Sequence, residues 1–261
     1  MARQLELIDN LVAEGREEFT FGEAMAQLRA SPTATANVLR GLKKKGLVDR
    51  LARGRYAIRP LGSLGTSAAT ADLYLAVGAA FSGSKHRIAY RSALGELGLL
   101  SHPVRKVFVA CTQQVRLSTV GRRPLRVVIE RAETIHLEAE EVGHSWMSTL
   151  ERALFEGALR VDLTGGVERL VEALSHGAPE ADPARIARLA EAFRARGLAA
   201  ERRLASLAHV LKLPLPLEPK LSPRRPIIRL DPRDDRIEWI DDRFRVAWNV
   251  TPEELAAVAG N

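Results

Sequence analysis

Apolar residues recur at helical spacing through the first sixty positions. In "RQLELIDNLVAEG", Leu5, Ile8, Leu11 and Val12 share one side, and Gly15 is placed to end the helix. "EFTF" reads as a short strand, "FGEAMAQLRA" as a second helix and "SPTATANVLRGLKKKG" as a third. Ser31 is a suitable N-cap for this third helix, Pro32 fits its first turn, and Gly46 is a suitable stop. "LVDRL" and "RYAI" are two strands around Ala52, Arg53 and Gly54, where the glycine permits a tight turn. Helix, strand, helix, helix and hairpin is the order of a winged helix-turn-helix.

The pattern then alternates between types. "PLGSLGTSAAT" reads as a linker, and helices are expected at "ADLYLAVGAAF" and "RIAYRSALGELG". Strands are expected at "RKVFVACT", "LRVVIER" and "TIHLEAEE". "SWMSTLERALFEGAL" would place Trp146, Met147, Leu150, Ala153 and Leu154 on one helix face. Helices follow at "VERLVEALSH", "PARIARLAEAFRARG" and "ERRLASLAHVLK". A proline-rich passage then leads to a hairpin of "RIEWIDD" and "RFRVAWNV". The expected fold class is α+β. It comprises a winged unit over 1–60, a linker over 61–70, a larger mixed domain over 71–213 and a tail over 214–261 packed on that domain.

The third helix divides cleanly into two faces. Side chains rotate by about 100° per residue, so Thr33, Asn37, Arg40 and Lys44 form one stripe while Thr35, Leu39 and Leu42 lie opposite. Such a helix can pack its apolar side and present hydroxyl, amide and cationic groups to a major groove. Lys43, Lys44 and Lys45 would reach phosphates at its end. Arg53 at the wing tip, with Arg50 and Arg55, would continue the basic surface. A lysine run at a helix C-terminus also complements the helix dipole, so the run alone does not distinguish the two roles.

Composition narrows the choice of class. The chain has 261 residues, 46% hydrophobic and 27% charged, with 39 Lys plus Arg against 32 Asp plus Glu and a formal charge of +7. That excess favours a polyanionic partner. No apolar run is long enough to span a bilayer and no leader is recognisable, which gives a cytoplasmic expectation. The single Cys111 sits in strand-like "KVFVACT" and reads as a buried apolar side chain; one cysteine forms no internal disulfide.

Phrases in the second part resemble AbiEi-type antitoxins. "HRIAYRSALGELGLLSHPVRKVFVA" is similar to the family's tyrosine-containing helix, whose "SAL" leads through a "GL" turn into a strand. "STLERALFEGALRVDLTGGVERLVEAL" resembles its "ER" helix, glycine pair and next helix, and "ERRLASLAHVLKL" its closing helix. Glu156 departs from the aspartate expected after the "ER" helix, and "RFRVAWNV" resembles the final strand of some longer relatives. The resemblance covers most of residues 1–213. It implies an antitoxin of a bicistronic type IV phage-defence module, repressing its own promoter at inverted repeats. It also implies that the C-terminal domain neutralises a nucleotidyltransferase-like toxin, directly or indirectly. On this reading the protein is a monomer or weak dimer that binds DNA cooperatively.

No residue pattern points to catalysis. "LTGGVERL" reads as a turn and helix start rather than a phosphate loop. The six histidines lack zinc-site spacing, and Glu138, Glu140, Glu141 and His144 read as a solvated strand end and turn. No cofactor, metal or catalytic residue is therefore expected. Arg185, Arg188, Arg194, Arg196, Arg202 and Arg203 are candidates for contacting a protein partner, or a solvated face. A ligand-responsive regulator with Trp146, Trp239 and Trp248 around a pocket, and an interaction module without DNA binding, are the alternatives.

Overall fold

A computed structural model of the chain describes residues 2–14, 16, 18–45, 47–52, 54–58, 73–222 and 224–259. The expected linker at 61–70, Gly15, Gly46 and Arg53 lie outside the described residues. The fold is α+β, divided into two compact units. One contains Met1–Gly83, Arg116–Leu125 and Val142–Ser145; the other contains Ser84–Val115, Arg126–Glu141 and Trp146–Asn261. Among the described residues no helix is long and apolar enough to cross a membrane.

The first unit opens with α1 (Ala2–Ala13), β1 (Glu18–Thr20), α2 (Phe21–Leu28), α3 (Pro32–Lys44), β2 (Val48–Ala52) and β3 (Arg55–Ile58). This is the element order read from the sequence, with an antiparallel sheet of order β1-β3-β2. Leu7, Ile8 and Leu11 of α1 close over Phe19, Ala24, Leu39, Leu42 and Val48. Val12 was expected in that stripe, but it is 54% exposed. It lies about 100° round the helix from Leu11, and Leu7 takes the inner place instead.

Local chemistry fixes the helix starts. Thr20 and Glu23 form a reciprocal capping box on α2, with Thr20 N–H donating to Glu23 Oε2 at 2.6 Å. Arg16 donates to the other Glu23 oxygen at 2.5 Å, and this hydrogen bond holds the carboxyl down at about 2. Ser31 Oγ accepts from Ala34 N–H to cap α3, with Pro32 in its first turn.

The helix expected to open the second domain, α4 (Leu73–Phe81), belongs to the first unit and packs on β2. Gly78 is required there, because a Cβ at that position would lie 2.0 Å from the His144 carbonyl oxygen.

The second unit contains β4 (His86–Ile88), α5 (Tyr90–Glu96) and β5 (Val107–Cys111). Further along the chain come β6 (Thr119–Val120), which belongs to the first unit, and β7 (Arg123–Ile129), β8 (Ala139–Val142) and β9 (Ser145–Ser148); the strand order is β6-β7-β5-β4-β9-β8. The helices are α6 (Leu150–Leu159), α7 (Val161–Thr164), α8 (Val167–Gly177), α9 (Pro183–Ala192) and α10 (Arg194–Val210). β10 (Ile228–Arg229), β11 (Trp239–Asp241) and β12 (Val246–Trp248) make a small sheet of order β10-β12-β11, and α11 (Pro252–Ala259) ends the chain.

Several boundaries differ from the expectation. Arg87 and Ile88 belong to β4, so the helix expected from residue 87 starts only at Tyr90. Trp146 and Met147 lie in β9, and the helical face attributed to them begins at Leu150. Most of "TIHLEAEE" forms turns, with only its end entering β8. The arginine-rich helix breaks at Phe193 and Arg194, the latter with φ of 54°.

A buried ionic cluster explains the strand placement of Arg87. Its guanidinium reaches Glu130 at 2.9 Å, Ser148 Oγ at 2.9 Å, the Ile135 carbonyl and Glu156. Arg152 also bonds Glu130 and Glu156. Glu156 accepts from Tyr90 N–H and Ser148 Oγ, both at 3.0 Å. Burial pushes the Glu156 carboxyl up, but Arg87 and Arg152 outweigh it and hold the group below the usual carboxylate range. Two cations and two anions satisfy one another, which is the condition under which charge is tolerated inside a fold.

Candidate nucleic-acid interface

α3 sets the site because its two faces have different fates. Leu39 and Leu42 are buried in the core and Thr35 is fully enclosed, while Thr33, Asn37, Arg40 and Lys43 are exposed. Arg40 Nη1 donates to Asn37 Oδ1 at 2.8 Å. This pins the guanidinium along the helix and leaves the Asn37 amide N–H groups and the remaining Arg40 donors facing outward. An amide and a guanidinium one turn apart are the groups that read adenine and guanine edges. Lys44 ends the helix, but its side chain lies outside the described set; Lys45 is exposed.

The β2–β3 hairpin carries the other candidate residues. Asp49 pairs with Ala57 on the buried side, and the exposed Arg50 stands opposite Tyr56, whose ring stacks on Phe19 at 5.6 Å. Arg55 is half-buried beside the turn. Gly54 has φ of 78°, a conformation that favours glycine, and its carbonyl accepts from Phe21 N–H at 2.7 Å. The hairpin is thereby tied to the start of α2. Arg53, expected at the tip, lies outside the described residues.

The second set of candidates is not a common contact surface. Arg202 and Arg203 are 3% and 7% exposed and are corrected from partner-facing to structural. Arg202 donates to the carbonyls of Phe244, Pro226 and Arg245, and Arg203 to those of Arg229 and Ala158. They fasten α10 to the C-terminal sheet and to α6. Arg185 bonds Glu138 and Glu151, and Arg188 bonds Glu138, so both anchor α9. Arg194 and Arg196 are exposed.

The tryptophans serve packing. Trp248 is buried with its N–H on Ser206 Oγ, Trp239 meets it edge to face, and Trp146 stacks on His136. A cavity of about 340 Å³ lies elsewhere, between the end of α10 and the proline-rich passage, lined by His209, Lys212, Leu215, Arg243 and Phe244 among others. Cys111 is buried as read. The Arg87, Glu130, Arg152 and Glu156 cluster was not read from the sequence. Its only local signal is the four-residue spacing of Arg152 and Glu156.

No family model matches the sequence, and no curated protein matches it. Among solved structures it is similar to the RV2827C protein from Mycobacterium tuberculosis, with a TM-score of 0.69 at 17% identity. The match covers 100% of this chain and 96% of that one, and at this identity it shows a shared fold.

Proposed function

We propose that the protein is a cytoplasmic, non-enzymatic DNA-binding regulator that lays α3 in a major groove and sets the β2–β3 hairpin against the flanking backbone. The observation that carries this reading is the division of α3, with Leu39 and Leu42 enclosed and Asn37, Arg40 and Lys43 presented together. A solvated helix needs no such grouping of base-reading and phosphate-reading side chains beside a basic hairpin. The formal charge of +7 supports a polyanionic partner.

The resemblance to AbiEi-type antitoxins extends the proposal. The duplex would be the protein's own promoter at inverted repeats, and the second unit would act against a nucleotidyltransferase-like toxin encoded beside it. Arg188, Arg194 and Arg196 are exposed, and of these Arg188 is already bonded to Glu138, which makes Arg194 and Arg196 the candidates for such a partner. Arg202 and Arg203 are withdrawn from that role.

The test is a gel-shift titration on the duplex upstream of the reading frame. Arg40→Ala with Lys43→Ala should weaken binding by about tenfold or more while leaving the fold intact. Binding equal to wild type would remove α3 from the interface. Toxin neutralisation is tested separately by co-expression with the neighbouring gene, where Arg194→Ala with Arg196→Ala should reduce rescue.

A further inference from the structure

We infer that the cavity at the end of α10 is a binding site for a small aromatic carboxylate. Its floor is apolar, formed by Ala208, Leu215, Leu217 and Phe244, all of them buried. Its rim is charged and polar, with His209, Lys212, Glu218 and Arg243 all exposed. At about 340 Å³ it lies at the small end of the range for ligand sites, roughly 300–1,000 Å³, and suits one ring rather than a nucleotide.

The chain path builds the floor. Just after α10, Lys212 has φ of 55°, in the left-handed region that helix ends ordinarily fill with glycine. Leu213 N–H then donates to the Ala208 carbonyl at 2.8 Å, which turns the chain back. Leu215 N–H donates to the Leu213 carbonyl at 2.8 Å, and Leu217 N–H to that of Leu215 at 3.0 Å. The leucines at 215 and 217 are thereby buried, while Pro214 and Pro216, which have no N–H to satisfy, stay exposed. From the other side, Asp241 Oδ1 accepts from the N–H groups of Arg243 and Phe244 and fixes the turn that supplies both.

Charge selects the ligand. The Arg243 guanidinium lies over Phe244, 5.1 Å from the ring centre, and its Nη2 donates to Glu218 at 2.8 Å. Both partners of that pair are 51% or more exposed, so a carboxylate from solution displaces Glu218 at little cost. The Lys212 ammonium has no partner among the described residues, and His209 stands 3.5 Å from Arg243. A ligand carboxylate that exchanges with Glu218 therefore gains Lys212 as well, and its ring covers the leucines and Phe244. Phosphate would use the cations and leave the floor empty; an uncharged ring would do the reverse. The inference does not depend on what α3 binds.

Isothermal titration of the full chain with sodium benzoate, without DNA, tests this. One saturable site with a Kd of about 1 mM or tighter is expected. Benzamide and acetate should each bind about tenfold more weakly, since each lacks one half of the contacts. Lys212→Gln with Arg243→Gln should weaken benzoate binding by about tenfold, and Glu218→Gln, which removes the competitor, should tighten it by about threefold. These side chains are exposed, so the melting temperature of each variant should match wild type. Arg40→Ala with Lys43→Ala should leave benzoate binding unchanged, which separates this site from the surface proposed for DNA. No saturation by about 10 mM would overturn the proposal, as would benzamide or acetate binding as tightly as benzoate. Wild-type affinity in the Lys212 and Arg243 double variant would overturn it too.

Discussion

At the scale of single residues, the two faces of α3 give opposite expectations for neighbouring substitutions. The Thr35 hydroxyl is buried without a hydrogen-bond partner among the described residues. Thr35→Val keeps the shape and removes the unsatisfied group, so it should raise unfolding stability by about 1 kcal/mol and leave DNA affinity unchanged. Two positions along, Asn37 and Arg40 share a hydrogen bond, so their effects on binding should not add. Asn37→Ala and Arg40→Ala should each weaken specific binding by about tenfold, with the double variant falling short of the product, measured as a double-mutant cycle. Arg202 shows the limit of reading charge from sequence. It is as basic as Arg40, yet three backbone carbonyls some 24 to 43 residues distant consume its donors.

At the scale of elements, caps and periodicity decide what forms. Removing the α3 cap by Ser31→Ala should cost about 1 kcal/mol in chemical denaturation, with DNA binding weakened no more than that loss explains. The same local signals made the first unit legible. Ser31 with Pro32 marked a start, alternating "RYAI" marked a strand, and the division between Leu39 and Arg40 marked the outward face. In the second unit the sequence misled where tertiary contacts overrode local preference. Arg87 is drawn into β4 by Glu130 and Glu156, which lie 43 and 69 residues away. Trp146 and Met147 have helical spacing with Leu150, but β9 pairs with β4 at Met147 and Ile88, and that ladder holds them extended. The candidate surface was legible because it lies on one helix and one hairpin; the buried cluster was not, because no window of sequence contains it.

At the scale of the whole molecule, buried charge makes stability depend on pH in a stated direction. Burial, reinforced by Glu191, pushes the Glu201 carboxyl up to about 7 from an ordinary value of 4.5. Below about 4.5 the group is protonated in both states and costs nothing. The penalty develops as pH rises toward 7 and is complete above it. Glu201→Gln should therefore raise the melting temperature at pH 8 and leave it unchanged at pH 4. The central claim concerns the other charged surface of the molecule, and salt dependence measures it directly. Fluorescence anisotropy should be recorded on the upstream duplex over a range of salt concentrations for wild type and for a variant with Arg40, Lys43, Arg50 and Arg55 all changed to Ala. The expected result is weaker binding with the slope of log affinity against log salt reduced by roughly 3, since each lost phosphate contact releases about one fewer counterion. An unchanged affinity and slope would contradict the assignment of α3 and its hairpin to DNA.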